Sequence, residues 1–222
     1  MGAGRRAGAG GGVVRVVVLG ATGATGREVV PVLLRRGHEV VAVVRDPSRA
    51  PEGVRAVVGD ARDPDVLPRA LQGADAVVSA LGPRGRDRGL QRAVVAALAP
   101  AMLAAGVRRY VGVSGAGVDA PGDRKRRRDR AVSRLMHLLA PGAVADKEGE
   151  LRAWQGTALD WTLVRPPRLQ DGPATGRVEL DPHRSTRSVT MRRADLAQVL
   201  ADLVASGEHV REAPFAATAR GA

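Results

Sequence analysis

The stretch 13–26, VVRVVVLGATGATG, constrains the fold more than any other part of the chain. A valine-rich run stops at Gly20, and Gly23 and Gly26 follow at three-residue steps. Arg27 and Glu28 come next, then Val29, Val30, Val32, Leu33 and Leu34 at helical spacing. A buried strand, a glycine turn and a helix start, in that order, make a seat for a dinucleotide pyrophosphate. Gly20 permits the tight turn off the strand, Gly23 lets the backbone approach phosphate oxygens, and Gly26 lets the helix pack closely. The first helical amides have no internal partners and carry the positive end of the helix dipole, so a bound anion satisfies both. Gly20, Thr22, Gly23, Ala24, Thr25 and Gly26 are therefore the expected pyrophosphate contacts.

The same alternation continues along the chain. Strands are expected over 13–19, 39–45, 55–59, 74–80, 109–113, 161–165 and 188–191. Helices are expected over 24–36, 65–71, 90–105 and 193–205, with Asp63 or Pro64 starting the second. Apolar strands alternating with amphipathic helices imply a Rossmann-type, doubly wound parallel sheet with helices on both faces. Residues 116–146 and 167–187 read as irregular substrate-lid insertions on the edge where such sheets bind ligands. The 222 residues suit one domain over 13–222, with 1–12 as a flexible tail.

Composition narrows the partners. Tyr110, Trp154, Trp161 and Phe215 are the only aromatic residues, so Val, Leu and Ala must build the core. Stacking platforms for single-stranded nucleic acid are nearly absent. The net charge of +12 comes almost wholly from arginine, since Lys125 and Lys147 are the only lysines. No run reaches the roughly 18 apolar residues of a membrane span. The first twelve residues lack the apolar stretch of a secretory signal, and the absence of cysteine agrees with a cytoplasmic location. The expected partner is a small-molecule substrate, without membrane or nucleic acid, for a monomer or homodimer.

The end of the second strand reads the coenzyme's charge. Arg45 follows VVAVV and Arg49 is close by, which suits the 2′-phosphate of NADP(H). Asp46 is adjacent and keeps NAD(H) as the alternative. Asp60, ending the third strand, could accept from the adenine amino group or cap the next helix. Ala80, Leu81 and Gly82 form a small-residue bend along the middle of the coenzyme.

GATGATG at 20–26, VVAVVRDPSR at 40–49, VVGDARDPDVL at 57–67, DAVVSALG at 75–82, YVGVSGAG at 110–117 and LDWTLVRPPRLQDGPATG at 159–176 carry a resemblance. Over about residues 13–206 the chain resembles the atypical short-chain dehydrogenases/reductases. The most similar subgroup is the NAD(P)H-binding proteins akin to biliverdin/flavin reductase and the NmrA-like proteins. The resemblance implies a Rossmann-type fold and NADP(H) binding. It also implies that Lys147, before EGELRAW, holds the nicotinamide ribose; the alternative is a solvated helix lysine paired with Glu150. Typical members of the wider group carry a tyrosine four residues before that lysine, and here Ala143 stands there. Tyr110 lies at the start of the fifth strand, away from the ligand edge.

Ser114, after the fifth strand, could orient a substrate beside the hydride-bearing carbon, or satisfy turn amides in SGAG. Pro166 turns the chain past the coenzyme after the sixth strand and could contact the carboxamide. His38, His137, His183 and His209 show no metal-ligand spacing, though His137 and His183 fall in the insertions, where either could act as a general acid. Asp195 belongs in the first turn of the last helix, where it favours the dipole. The basic run DRKRRRDR at 123–130 could bind a polyanion or form a solvated helix face. The expected function is an NADP(H)-dependent oxidoreductase acting on a flavin-, quinone- or polyketide-like acceptor. An NADP-sensing regulator without turnover, or an isomerase or dehydratase, are the alternatives.

Overall fold

Each of the first strands is apolar at nearly every position, so both of its faces must be covered. The computed structural model, which describes residues 12–82, 89–139 and 141–220, meets that demand with helices on both sides. β1 (Arg15–Leu19), β2 (Glu39–Val44), β3 (Arg55–Val58), β4 (Ala76–Ser79), β5 (Arg109–Val113) and β6 (Asp160–Val164) form a parallel sheet in the order β3-β2-β1-β4-β5-β6. α1 (Gly26–Arg35) and α6 (Arg193–Ser206) cover one face, where Val16, Val18, Val78 and Val111 meet Val29, Leu33, Leu196 and Leu200. α2 (Leu67–Leu71), α3 (Leu90–Ala104) and α5 (Pro141–Gln155) cover the other, where Val17, Leu19, Val77 and Leu163 meet Leu71, Val94, Leu98 and Trp154. The strand order reverses between β1 and β4, which opens a crevice at their carboxyl ends.

Several expectations need correction. α1 begins at Gly26, two residues later than expected, because Gly23 bonds back to Gly20 O (3.0 Å) and keeps 24–25 in the turn. α2 begins at Leu67, not Asp65, because Asp63 Oδ1 takes the Asp65 amide (2.9 Å) in a local turn. β6 starts and ends one residue earlier than expected, since Asp160 pairs with Arg109 in the ladder. The segment 116–146 is not irregular: it contains α4 (Arg127–Leu139) and the start of α5. The segment 167–187 carries β7 (Arg168–Gln170) and β8 (Val178–Asp181). β7 pairs in parallel with β9 (Thr190–Arg192), two residues beyond the expected start. β8 pairs antiparallel with β10 (Phe215–Thr218), a strand the sequence did not reveal. Residues 1–11 of the expected tail lie outside the described residues. Among the described residues no helix is long and apolar enough to cross a membrane.

Candidate coenzyme site

The crevice is built from backbone before side chains. Gly20 leaves β1 with φ +79°, and a Cβ there would stand 3.0 Å from the Ala80 carbonyl and the Leu81 amide. A Cβ at Gly26 would fall 2.1 Å from Gly20 O and 2.7 Å from Ala21 Cα, so no side chain fits where α1 starts. The tight approach is to the turn's own backbone, where sequence reasoning placed it against the sheet. The Gly23 carbonyl takes the Arg27 amide (2.9 Å). Among the described residues no acceptor takes the amides of Thr22, Ala24 and Thr25, and Thr25 makes no side-chain cap. Three open donors beside the positive end of a helix suit a diphosphate.

Gly20, Thr22, Gly23, Arg45, Asp60, Ala80, Leu81 and Gly82 line one groove along the carboxyl ends of β1 to β4. The structure thus brings these eight expected residues together, while Ala24, Thr25, Gly26 and Pro166 are not in that lining. Arg49, on a single 3-10 turn at Pro47–Arg49, is not in the lining. The carboxylate beside Arg45 is tied back: Ser48 donates its amide (3.0 Å) and hydroxyl (2.7 Å) to Asp46 Oδ1. Those bonds, the hydroxyl's first, hold the Asp46 carboxyl below its usual range. Asp60 does not cap α2; it accepts from the Arg62 amide (2.9 Å), Nε (2.9 Å) and Nη2 (3.0 Å). The Arg62 side chain is the main reason its carboxyl also sits low. Arg62 therefore joins Arg45 in the groove lining. Sequence reasoning missed it; the signal was an Asp and an Arg two apart at the end of a parallel strand. It also missed Gln91, buried at the start of α3, whose Nε2 donates to Leu81 O (3.0 Å) and fixes the bend after β4.

Ser114 and the Lys147 ammonium both lie at the end of β5, outside that lining. Lys147 Nζ donates to Val113 O (2.9 Å) and to Glu150 Oε2 (2.9 Å). It is largely buried and so is not a solvated helix lysine, although it makes the Glu150 pair expected of one. Burial pushes the Glu150 carboxyl up, and Lys147 opposes the shift. Ser114 gives its amide to Val164 O (2.8 Å), while its buried hydroxyl has no partner among the described residues. An unpaired buried hydroxyl costs about 1–3 kcal/mol, which a bound group can recover. The Pro166 carbonyl takes the Ala116 amide (2.9 Å).

Tyr110 is buried and stacked on Trp154, ring centroids 4.0 Å apart. Burial first, then the nearby Glu150 charge, pushes its phenol well above the ordinary range. It stays a neutral core residue. His183 gives its carbonyl to the Arg124 amide (2.8 Å), and His137 joins Ser133 O and Glu148 on the outer helices; neither lines the groove.

A family model described as NAD(P)H-binding matches residues 20–206. The 3-diazoavenalumate denitrifying reductase of a Streptomyces species is 51% identical over 61 residues, 28% of this chain and 20% of that protein. The NAD(P)H azoreductase of Xenophilus azovorans is 38% identical over 112 residues, 48% of this chain and 38% of that enzyme. The matched stretches thus span well under half of these curated relatives. Among solved structures, a Burkholderia pseudomallei protein described as exported superposes with a TM-score of 0.76 at 29% identity, covering 92% of this chain and 100% of the other. The Escherichia coli O157:H7 anaerobilin reductase ChuY superposes with a TM-score of 0.75 at 24% identity, covering 94% and 100%, a likeness of fold.

Proposed function

The chain belongs to the NAD(P)H-binding family, and from that premise we propose that it is an NADP(H)-dependent oxidoreductase. Its acceptor is a small conjugated molecule of the flavin, quinone or azo kind. The reading rests on the seat at 20–26, where a methyl group at position 26 would collide with Gly20 O at 2.1 Å. Backbone that excludes even a methyl group, beside three open amides, fits a diphosphate.

When bound, the coenzyme supplies the hydride. The amides of Thr22, Ala24 and Thr25 hold the pyrophosphate. Arg45 holds the adenosine-side phosphate, with Arg62 in the same lining. NADP(H) is preferred because both nearby carboxylates, Asp46 and Asp60, already accept bonds from Ser48 and Arg62. Asp60 is therefore poorly placed to take the adenine amino group. Lys147 has one N–H beyond those given to Val113 and Glu150, and offers it to a ribose hydroxyl. The Ser114 hydroxyl orients the acceptor, Pro166 walls the carboxamide end, and the balancing proton comes from water. The reductases among the relatives support the oxidoreductase class.

Calorimetry with NADPH and NADH on the folded chain tests the premise, and NADPH oxidation with flavins, quinones and azo dyes tests the chemistry. NADPH should bind more tightly than NADH and be consumed with at least one acceptor class. No heat with either coenzyme removes the whole reading. Tight binding with no consumption in any arm leaves a coenzyme sensor instead.

A further inference from the structure

The outer side of α4 carries a pattern that the coenzyme site leaves unused. Val132, Leu135, Leu138 and Leu139 are 56, 51, 79 and 73% exposed. On a helix of 3.6 residues per turn they fall within one sector of about 120°. The other side is anchored to the protein. Ser133 is buried and takes a bond from Lys125 Nζ (3.0 Å), and His137 Nε2 lies 3.0 Å from Glu148 on α5. The apolar stripe therefore points away from the molecule.

Arg127, Arg130 and Arg134 border that stripe and are exposed. Their guanidinium groups make no hydrogen bond or ion pair with any described residue. Asp129, the acidic residue of the helix, is already engaged by Arg128 Nε (3.2 Å) and the Ser185 hydroxyl (2.6 Å). The helix is strongly amphipathic and hydrophilic as a whole. A second copy of the chain placed on this stripe would set arginines against arginines. Nucleic acid would use the arginines and leave the leucines in water. A leucine stripe edged by guanidinium groups matches the interface of an anionic bilayer, where the apolar face sinks below the phosphates that the cations meet.

We propose that α4 docks this protein reversibly on an anionic phospholipid surface, with Leu135, Leu138 and Leu139 inserted and Arg127, Arg130 and Arg134 on the headgroups. The basic run at 123–130 then belongs to a lipid-facing helix. The full chain is sedimented with phosphatidylcholine vesicles that contain or lack phosphatidylglycerol. It should bind only the anionic vesicles, and less tightly at high salt. Arg127→Gln/Arg130→Gln/Arg134→Gln should weaken binding about a hundredfold. Leu138→Gln/Leu139→Gln should weaken it about tenfold or more. All substituted positions are exposed, and calorimetry with NADPH on each variant checks that the fold and coenzyme site are intact. Absence of sedimentation with anionic vesicles, or equal binding to neutral ones, overturns the proposal. So does a lipid-free dimer that the leucine substitutions dissociate, or DNA binding that only the arginine substitutions abolish in a protein that ignores vesicles.

Discussion

Arg45 and Asp60 end neighbouring strands and line the same groove, yet their positions in the chain say nothing about their partners. Asp60 is claimed by Arg62 and Asp46 by Ser48, and in the proposed reading Arg45 meets the 2′-phosphate. A charge-assisted contact contributes about 1.5–3 kcal/mol. Arg45→Ala should therefore weaken NADP(H) binding about tenfold to a hundredfold while changing NADH binding less than about threefold, as read by calorimetry. Equal losses for both coenzymes remove Arg45 as the phosphate ligand. At Gly26 the expectation concerns shape. A methyl group 2.1 Å from Gly20 O must displace backbone. Gly26→Ala should cost about 1–3 kcal/mol of stability, seen as a lower melting temperature, and should abolish coenzyme binding.

At the scale of elements, one carboxylate joins the start of α6 to two distant segments. Asp195 lies in its first turn, where the sequence assigned it a dipole role, and it is fully buried. It accepts from the Thr175 amide (2.7 Å) and hydroxyl (2.9 Å), the Gly176 amide (3.1 Å) and the Thr218 hydroxyl (2.7 Å). One side chain thus ties the loop before β8 and the strand β10 to the helix. Burial alone would push this carboxyl up, but the bonds from Thr218, Thr175 and Gly176 together hold it below the usual value. A carboxyl depressed in the folded state gives stability that is present above its unfolded pKa, near 3.9, and is lost as pH falls through the lower folded value. Urea unfolding across acidic pH should show that loss. Asp195→Asn should remove this part of the acid dependence and cost about 1–3 kcal/mol at neutral pH, because donors then face an amide. An unchanged acid profile shows that other groups carry it.

Across the whole molecule, Arg165 joins parts that are far apart in sequence. Its buried guanidinium forms two 2.7 Å bonds with Asp123, donates to Val118 O (2.9 Å) and Ala213 O (2.6 Å), and lies 3.8 Å from the Phe215 ring centroid. The end of β6, the loop after β5 and the approach to β10 meet on this one residue. Arg165→Met should strand a largely buried carboxylate and cost about 3–5 kcal/mol, whereas Arg165→Met/Asp123→Leu should recover much of that loss. Thermal melts of the single and double variants decide, and equal melting of the two overturns the clamp. The local parts of this architecture were legible beforehand. Hydrophobic period and glycine placement are properties of neighbouring residues, so β1 to β6 and the turn at 20–26 followed from the chain itself. β10 was not legible, because FAAT is short and its antiparallel partner, VELD at β8, lies far away in the chain. The extent of α4 and α5 was not legible, because arginines and glycines break up their apolar pattern. The amino-acid sequence alone determined a parallel sheet with a glycine turn after its first strand, since valine runs demand two covered faces and only glycine tolerates the turn. Tertiary structure alone decided which charges are already paired, because Asp60 with Arg62, Lys147 with Val113, and Arg165 with Asp123 depend on where the folded backbone sets each side chain down.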